Sequence, residues 1–111
     1  MLISNNIFYP GKVNYNTFNI DFDKLFVAQE DELNEDLVQV EYKGNYILDI
    51  GWYPEGDVNG RIIIQLIRNS EWDNPIVKEK CLDKESFFES INRIMSIIES
   101  ITESEDECHQ E

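Results

Sequence analysis

An α+β fold is predicted: an antiparallel β-meander of about four strands with a C-terminal amphipathic helix packed on one face. Three features carry the prediction. Apolar residues recur at steps of four and three over residues 84–101, and apolar and polar residues alternate between residues 38 and 82. The length of 111 residues gives room for one domain with a single core. Residues 1–102 are expected to form that domain, and residues 103–111 an acidic, disordered tail.

Before Leu37 two readings stay open. Phe18, Ile20 and Phe22 alternate as in a strand, whereas residues 21–29 also suit a short helix with Leu25 and Phe26 inward. From Val38 the period of two is plain: Val38, Val40 and Tyr42 alternate with Gln39, Glu41 and Lys43, then Tyr46, Leu48, Ile50 and Trp52 with Asp49 and Gly51. A two-residue loop between these strands would set Val40 opposite Asp49 and mix the faces. A three-residue loop, Lys43 to Asn45 with Asn45 left-handed, pairs Tyr42 with Tyr46, Val40 with Leu48 and Val38 with Ile50, and keeps one face apolar. A third strand follows from Arg61 to Arg68, with Ile62, Ile64 and Leu66 on one face and Ile63 and Ile67 partly filling the other, as in a central strand. The fourth, near residues 76–82, sets Val77 and Cys81 against Lys78 and Lys80, and outward charge suits an edge. In the final segment Phe87, Ile91, Ile94, Ile98 and Ile101 form one helix face, widened by Phe88, Met95 and Ile97. Asp83 is placed to cap this helix, with Glu85 in its first turn.

The charge is −14, from 23 acids against 9 Lys and Arg, but 10 of the acids lie in two runs. One run is Glu30, Asp31, Glu32, Glu35 and Asp36; the other is Glu103, Glu105, Asp106, Glu107 and Glu111. Without them the charge is only −4, so the excess is local and suits a polyanionic surface facing a basic partner. A solvated loop and tail would carry the same runs. Direct nucleic-acid binding is disfavoured because the few cations are scattered. No stretch approaches the roughly 20 apolar residues of a membrane span, and residues 1–10 lack the pattern of an export signal. Cys81 lies in an alternating segment and Cys108 in the acidic tail, a poor pair for a structural disulfide. A cytoplasmic location is therefore expected.

The residue inventory argues against an enzyme. The only histidine is His109, in the tail, so no Cys-His or Ser-His relay has a pre-organised imidazole. Cys108 and His109 are adjacent and Cys81 is alone, which does not suit zinc. A calcium loop starting at Asp57 would need Glu where Arg68 stands, so a turn at Asn59-Gly60 is the better reading. Gly56 and Gly60 lack the spacing and the lysine of a phosphate loop. Carboxylate catalysis would need Asp49, Glu55 or Asp57 in a deep pocket. No cofactor is expected.

Aromatic and acidic residues mix in two connections, Trp52-Tyr53-Pro54-Glu55-Gly56-Asp57 and Glu71-Trp72-Asp73-Asn74-Pro75. Aromatic side chains at loops anchor interfaces, and neighbouring carboxylates pair with Arg or Lys across the contact. Alternation assigns Trp52 to the core and Tyr53 to the opposite face. In a meander the two loops fall at opposite ends of the sheet.

Residues 47–57 (ILDIGWYPEGD), 60–64 (GRIII) and 72–76 (WDNPI), followed by the amphipathic helix, resemble small bacterial immunity proteins of contact-dependent growth inhibition and other polymorphic toxin systems. The resemblance covers roughly residues 37–100. It implies a cytosolic protein that binds and blocks the C-terminal domain of one cognate toxin, often a nuclease with a basic cleft. Candidate contacts are Glu30, Asp31, Glu32, Glu35 and Asp36, with Tyr53, Glu55 and Asp57 or Glu71, Trp72 and Asp73. The alternative is an acidic adaptor or regulatory subunit that docks on a basic non-toxin protein.

Overall fold

A computed structural model describes the backbone of residues 1–109 and the side chains of residues 1–102. Its centre is a five-stranded antiparallel sheet in sequential order: β1 Lys12–Asn16, β2 Val38–Tyr42, β3 Tyr46–Tyr53, β4 Arg61–Arg68 and β5 Val77–Cys81. The helix α1, Lys84–His109, follows. The expected meander is thus present, with one strand more than the four predicted. β1 was not predicted because the alternation of Lys-Val-Asn-Tyr-Asn spans only five residues with two apolar positions, and its pairing with β2 slips between Val13 and Tyr15.

Register follows the apolar pattern. Tyr42 pairs with Tyr46, Val40 with Leu48 and Val38 with Ile50. The intervening turn has positive φ at Gly44 (94°) and Asn45 (66°), as a three-residue connection with left-handed Asn45 requires. β4 lies between β3 and β5, and β5 forms an edge with Lys78 and Lys80 exposed.

Val40, Leu48, Ile50, Trp52, Ile62, Ile64 and Leu66 bury one face of the sheet beneath Phe87, Ile91, Ile94 and Ile98 of α1. The helix starts where predicted: the Ser86 N–H donates to Asp83 Oδ1 at 2.7 Å, and this bond holds the Asp83 carboxyl below its ordinary range. It continues to His109, past the expected end near residue 101. The side chains of the predicted disordered tail lie outside the described residues. Glu79, on the helix-bearing face of β5, accepts from Arg93 and from the Ser90 hydroxyl of α1, and the Arg93 bond holds its carboxyl low.

The first 37 residues complete the core without the strand or the helix expected of them. Phe18 and Ile20 are buried in chain without regular secondary structure, with Phe18 stacked on Phe87 at 4.9 Å between ring centroids. A 3₁₀ segment, Phe26–Glu32, replaces the short helix. Phe26 packs on Trp52 at 4.8 Å as expected, but Leu25 is 75% exposed rather than inward. Leu25 precedes the first 3₁₀ turn with extended backbone, which directs its side chain away from the core. The Gln29 side chain closes the preceding loop, accepting from the Asp21 N–H and donating to the Asp21 carbonyl, both at 2.8 Å. Near the start of the chain the Tyr42 hydroxyl donates to the Phe8 carbonyl at 2.7 Å. No helix among the described residues is long and apolar enough to cross a membrane.

Candidate functional site

The segment between two fully buried leucines, Leu33 and Leu37, lies against the end of β3. The Leu37 N–H donates to Ile50, the Trp52 N–H to Asn34 and the Gly56 N–H to Leu33, at 3.1, 2.8 and 2.7 Å. Between these bonds the Glu35 carbonyl passes directly over Gly51. A Cβ at residue 51 would overlap that oxygen, so this strand position must be glycine. The ring of Tyr53 leans into the same space, since its edge also lies within contact of the missing Cβ.

This packing joins two of the candidate segments. The Glu35 N–H donates to Glu55 Oε1 at 3.2 Å, so the first acidic run and the β3–β4 loop form one surface. In that loop the Trp52 indole donates to the Asp57 carbonyl at 2.7 Å, and the Asn59 N–H donates to Asp57 Oδ1 at 2.8 Å. The Asn59-Gly60 turn is present as read. Glu30, Asp31, Glu35, Asp36, Glu55 and Asp57 are exposed, while Glu32 and Tyr53 are half-buried. Glu71, Trp72 and Asp73 are exposed at the other end of the sheet, where the Asn69 N–H donates to the Asn45 carbonyl at 2.9 Å. The two aromatic-acidic loops thus belong to separate surfaces, as the meander requires.

The face of the sheet opposite the helix continues the first surface inward. One row across it reads Tyr15, Gln39, Asp49, Gln65 and Lys78 on successive strands. Asp49 is only 4% exposed and accepts from the Gln65 amide at 3.5 Å, a weak bond. Burial pushes its carboxyl up from 3.8 to about 6, and the charge of Asp36 adds to the shift. Tyr15, whose hydroxyl approaches Asp36 at 3.5 Å, and Tyr53 are both pushed up to about 12 by burial and by the surrounding carboxylates. The one sequence signal for Tyr15 is the five-residue alternation of Val13 and Tyr15 with Lys12, Asn14 and Asn16, too short to mark a strand by itself. Sequence reasoning weighed Asp49 only as an acid for catalysis.

None of the four depressions described on the surface is lined by Asp49, Glu55 or Asp57. Among the described residues no group of three His, Cys, Asp or Glu side chains is placed to hold a metal ion. Cys81 is a buried thiol that burial pushes up to about 12, away from the reactive thiolate. The arrangement suits recognition of positive charge by carboxylates set beside tyrosine rings. No protein-family model, curated protein or solved structure matches the chain.

Proposed function

We propose that this chain is a cytoplasmic immunity protein that binds the C-terminal domain of a cognate toxin and neutralises it without catalysis. The toxin domain is a nuclease whose basic active-site or substrate-entry surface is covered by the acidic end of the sheet. The observation that carries this reading is the joining of Glu35 and Asp36 to Glu55 and Tyr53, residues distant in sequence, in one anionic and aromatic surface. A cleft that holds phosphates must be basic, so an acidic protein is drawn toward it and competes with nucleic acid for the same cations. Steering of this kind raises association to about 10⁸–10⁹ M⁻¹s⁻¹ at low salt, which suits capture of a lethal enzyme before it acts.

The experiment is co-expression with the C-terminal domain encoded immediately upstream, scoring growth and co-purification at low and high salt. Growth arrest relieved by this chain, with a complex that weakens at high salt, is the expected result. A domain that is not toxic, or that forms no complex, overturns the reading in favour of an adaptor for a basic partner.

A further inference from the structure

An antiparallel sheet with one face in water usually carries polar side chains there, yet the face that α1 leaves open carries isoleucines. Ile47 of β3 stands opposite Ile67 of β4, and Ile76, whose N–H donates to the Leu66 carbonyl at 2.8 Å, continues the row to the edge. Ile67 is fully buried yet lies outside the core beneath the helix; Ile47 is half-buried and Ile76 is 47% exposed. Ile63, opposite Gly51, and the Tyr15 ring add half-buried apolar surface.

The charges on this face sort by side. Toward β5 lie Lys78, Lys80 and, at the start of β4, Arg61, all exposed. Toward β1 the Tyr15 hydroxyl approaches Asp36 at 3.5 Å, and Glu35 lies beside Tyr53. Lys12 of β1 stands opposite Glu41 of β2 and offsets it. Asp49, between the two sides, is 4% exposed and accepts from Gln65, so it offers little charge to a contact. The opposed charges also stand at matching heights along the strands: Lys78 shares a row with Tyr15, and Lys80 shares one with Gly51, over which Glu35 passes.

We infer that a second copy of this chain packs on the helix-free face, about a two-fold axis along β3 that lays β5 of each copy over β1 of the other. That operation keeps every row at its own height, so Lys78 meets Tyr15 and Asp36, Lys80 and Arg61 meet the Glu35 side, and Ile47 meets its own copy at the axis. An axis across the strands would instead set Lys78 against Lys80. Each chain carries −14, but charges beyond about 8 Å are screened at physiological salt, so the close pairs decide the contact. Strands about 4.8 Å apart, with about 3.4 Å per residue, make a face of roughly 24 by 20 Å, at the small end of specific interfaces, so the dimer is a weak one, in the micromolar range. The inference does not rest on the function proposed above, although both surfaces use Glu35 and Asp36 and their partners therefore compete.

The test is sedimentation velocity of the whole chain from about 1 μM to about 1 mM at physiological salt. The mean mass should rise from that of one chain toward that of two, with concentration-dependent amide shifts confined to the strands of this face. Glu35→Lys with Asp36→Lys brings the net charge nearer zero, yet should weaken the dimer about tenfold. Lys78→Glu with Lys80→Glu should do the same, whereas Lys24→Glu with Lys84→Glu, an equal change of charge off the face, should cost far less. Mixed in equal amounts, the two face variants should form a heterodimer of parental affinity, which a loss of folding cannot mimic. A chain that stays single throughout, a dimer indifferent to both reversals, or a mixed pair that fails to associate overturns the inference.

Discussion

Asp49 holds a carboxylate where β-sheets usually place an apolar or neutral side chain, and its folded-state pKa of about 6 lies above the ordinary 3.8. The folded chain therefore binds this proton more tightly than the unfolded chain does. The stabilisation linked to it is fully present below the ordinary value and is lost as pH rises through about 6. Asp49→Asn should abolish that slope and raise stability at neutral pH by up to about 3 kcal/mol, measured by urea unfolding at about pH 4 and about pH 8. The Asn side chain can still accept from Gln65, so the gain reports the charge rather than a lost hydrogen bond. A second residue, Gly51, is fixed by its neighbour. Gly51→Ala forces the Glu35 backbone off the strand and should cost about 3 kcal/mol, with faster hydrogen exchange of the Trp52 and Gly56 amides that bond across it.

The elements that pack by periodicity were the readable ones. The β2–β3 register followed from keeping Val40 opposite Leu48, and the helix from Phe87 to Ile98 announced itself by its apolar stripe. β1 did not, because its alternation is only five residues long and a bulge between Val13 and Tyr15 breaks its register with β2. The chain from Phe18 to Phe22 alternates as a strand would, yet it packs its rings from irregular chain that ends in a turn at Phe22, without joining the sheet. Periodicity reports which side chains turn inward and says nothing of where the backbone finds its hydrogen bonds. The acidic run was visible and so was the β3–β4 loop, whereas their union depends on the Glu35–Glu55 contact across twenty residues of sequence. Two substitutions test how the elements are held. Phe87→Ala removes the ring that Phe18, Phe22 and Phe88 share and should cost about 3–5 kcal/mol. Tyr42→Phe removes the buried bond to the Phe8 carbonyl and should cost about 1 kcal/mol, with hydrogen exchange rising in residues 5–11 while α1 stays protected.

Across the molecule, the two acidic-aromatic ends are separated by the length of the strands, and charges that far apart act independently beyond a screening length of about 8 Å at physiological salt. Neutralising Glu35 and Glu55 together should slow association with the toxin domain proposed as partner about tenfold at low salt and reduce its salt dependence; stopped-flow mixing measures both. The corresponding change at Glu71 and Asp73 should leave the rate within about twofold. The same separation places one tryptophan at each end. Trp52 is fully buried against Phe26 with its indole bonded to the Asp57 carbonyl, whereas Trp72 is 44% exposed. The chain thereby carries two intrinsic fluorophores with different surroundings, one beneath the acidic surface and one in water. Caesium, a cationic quencher drawn to negative charge, should extinguish Trp72 and spare Trp52, so that with Trp72 silenced the remaining emission reads occupancy of the acidic end without any added label.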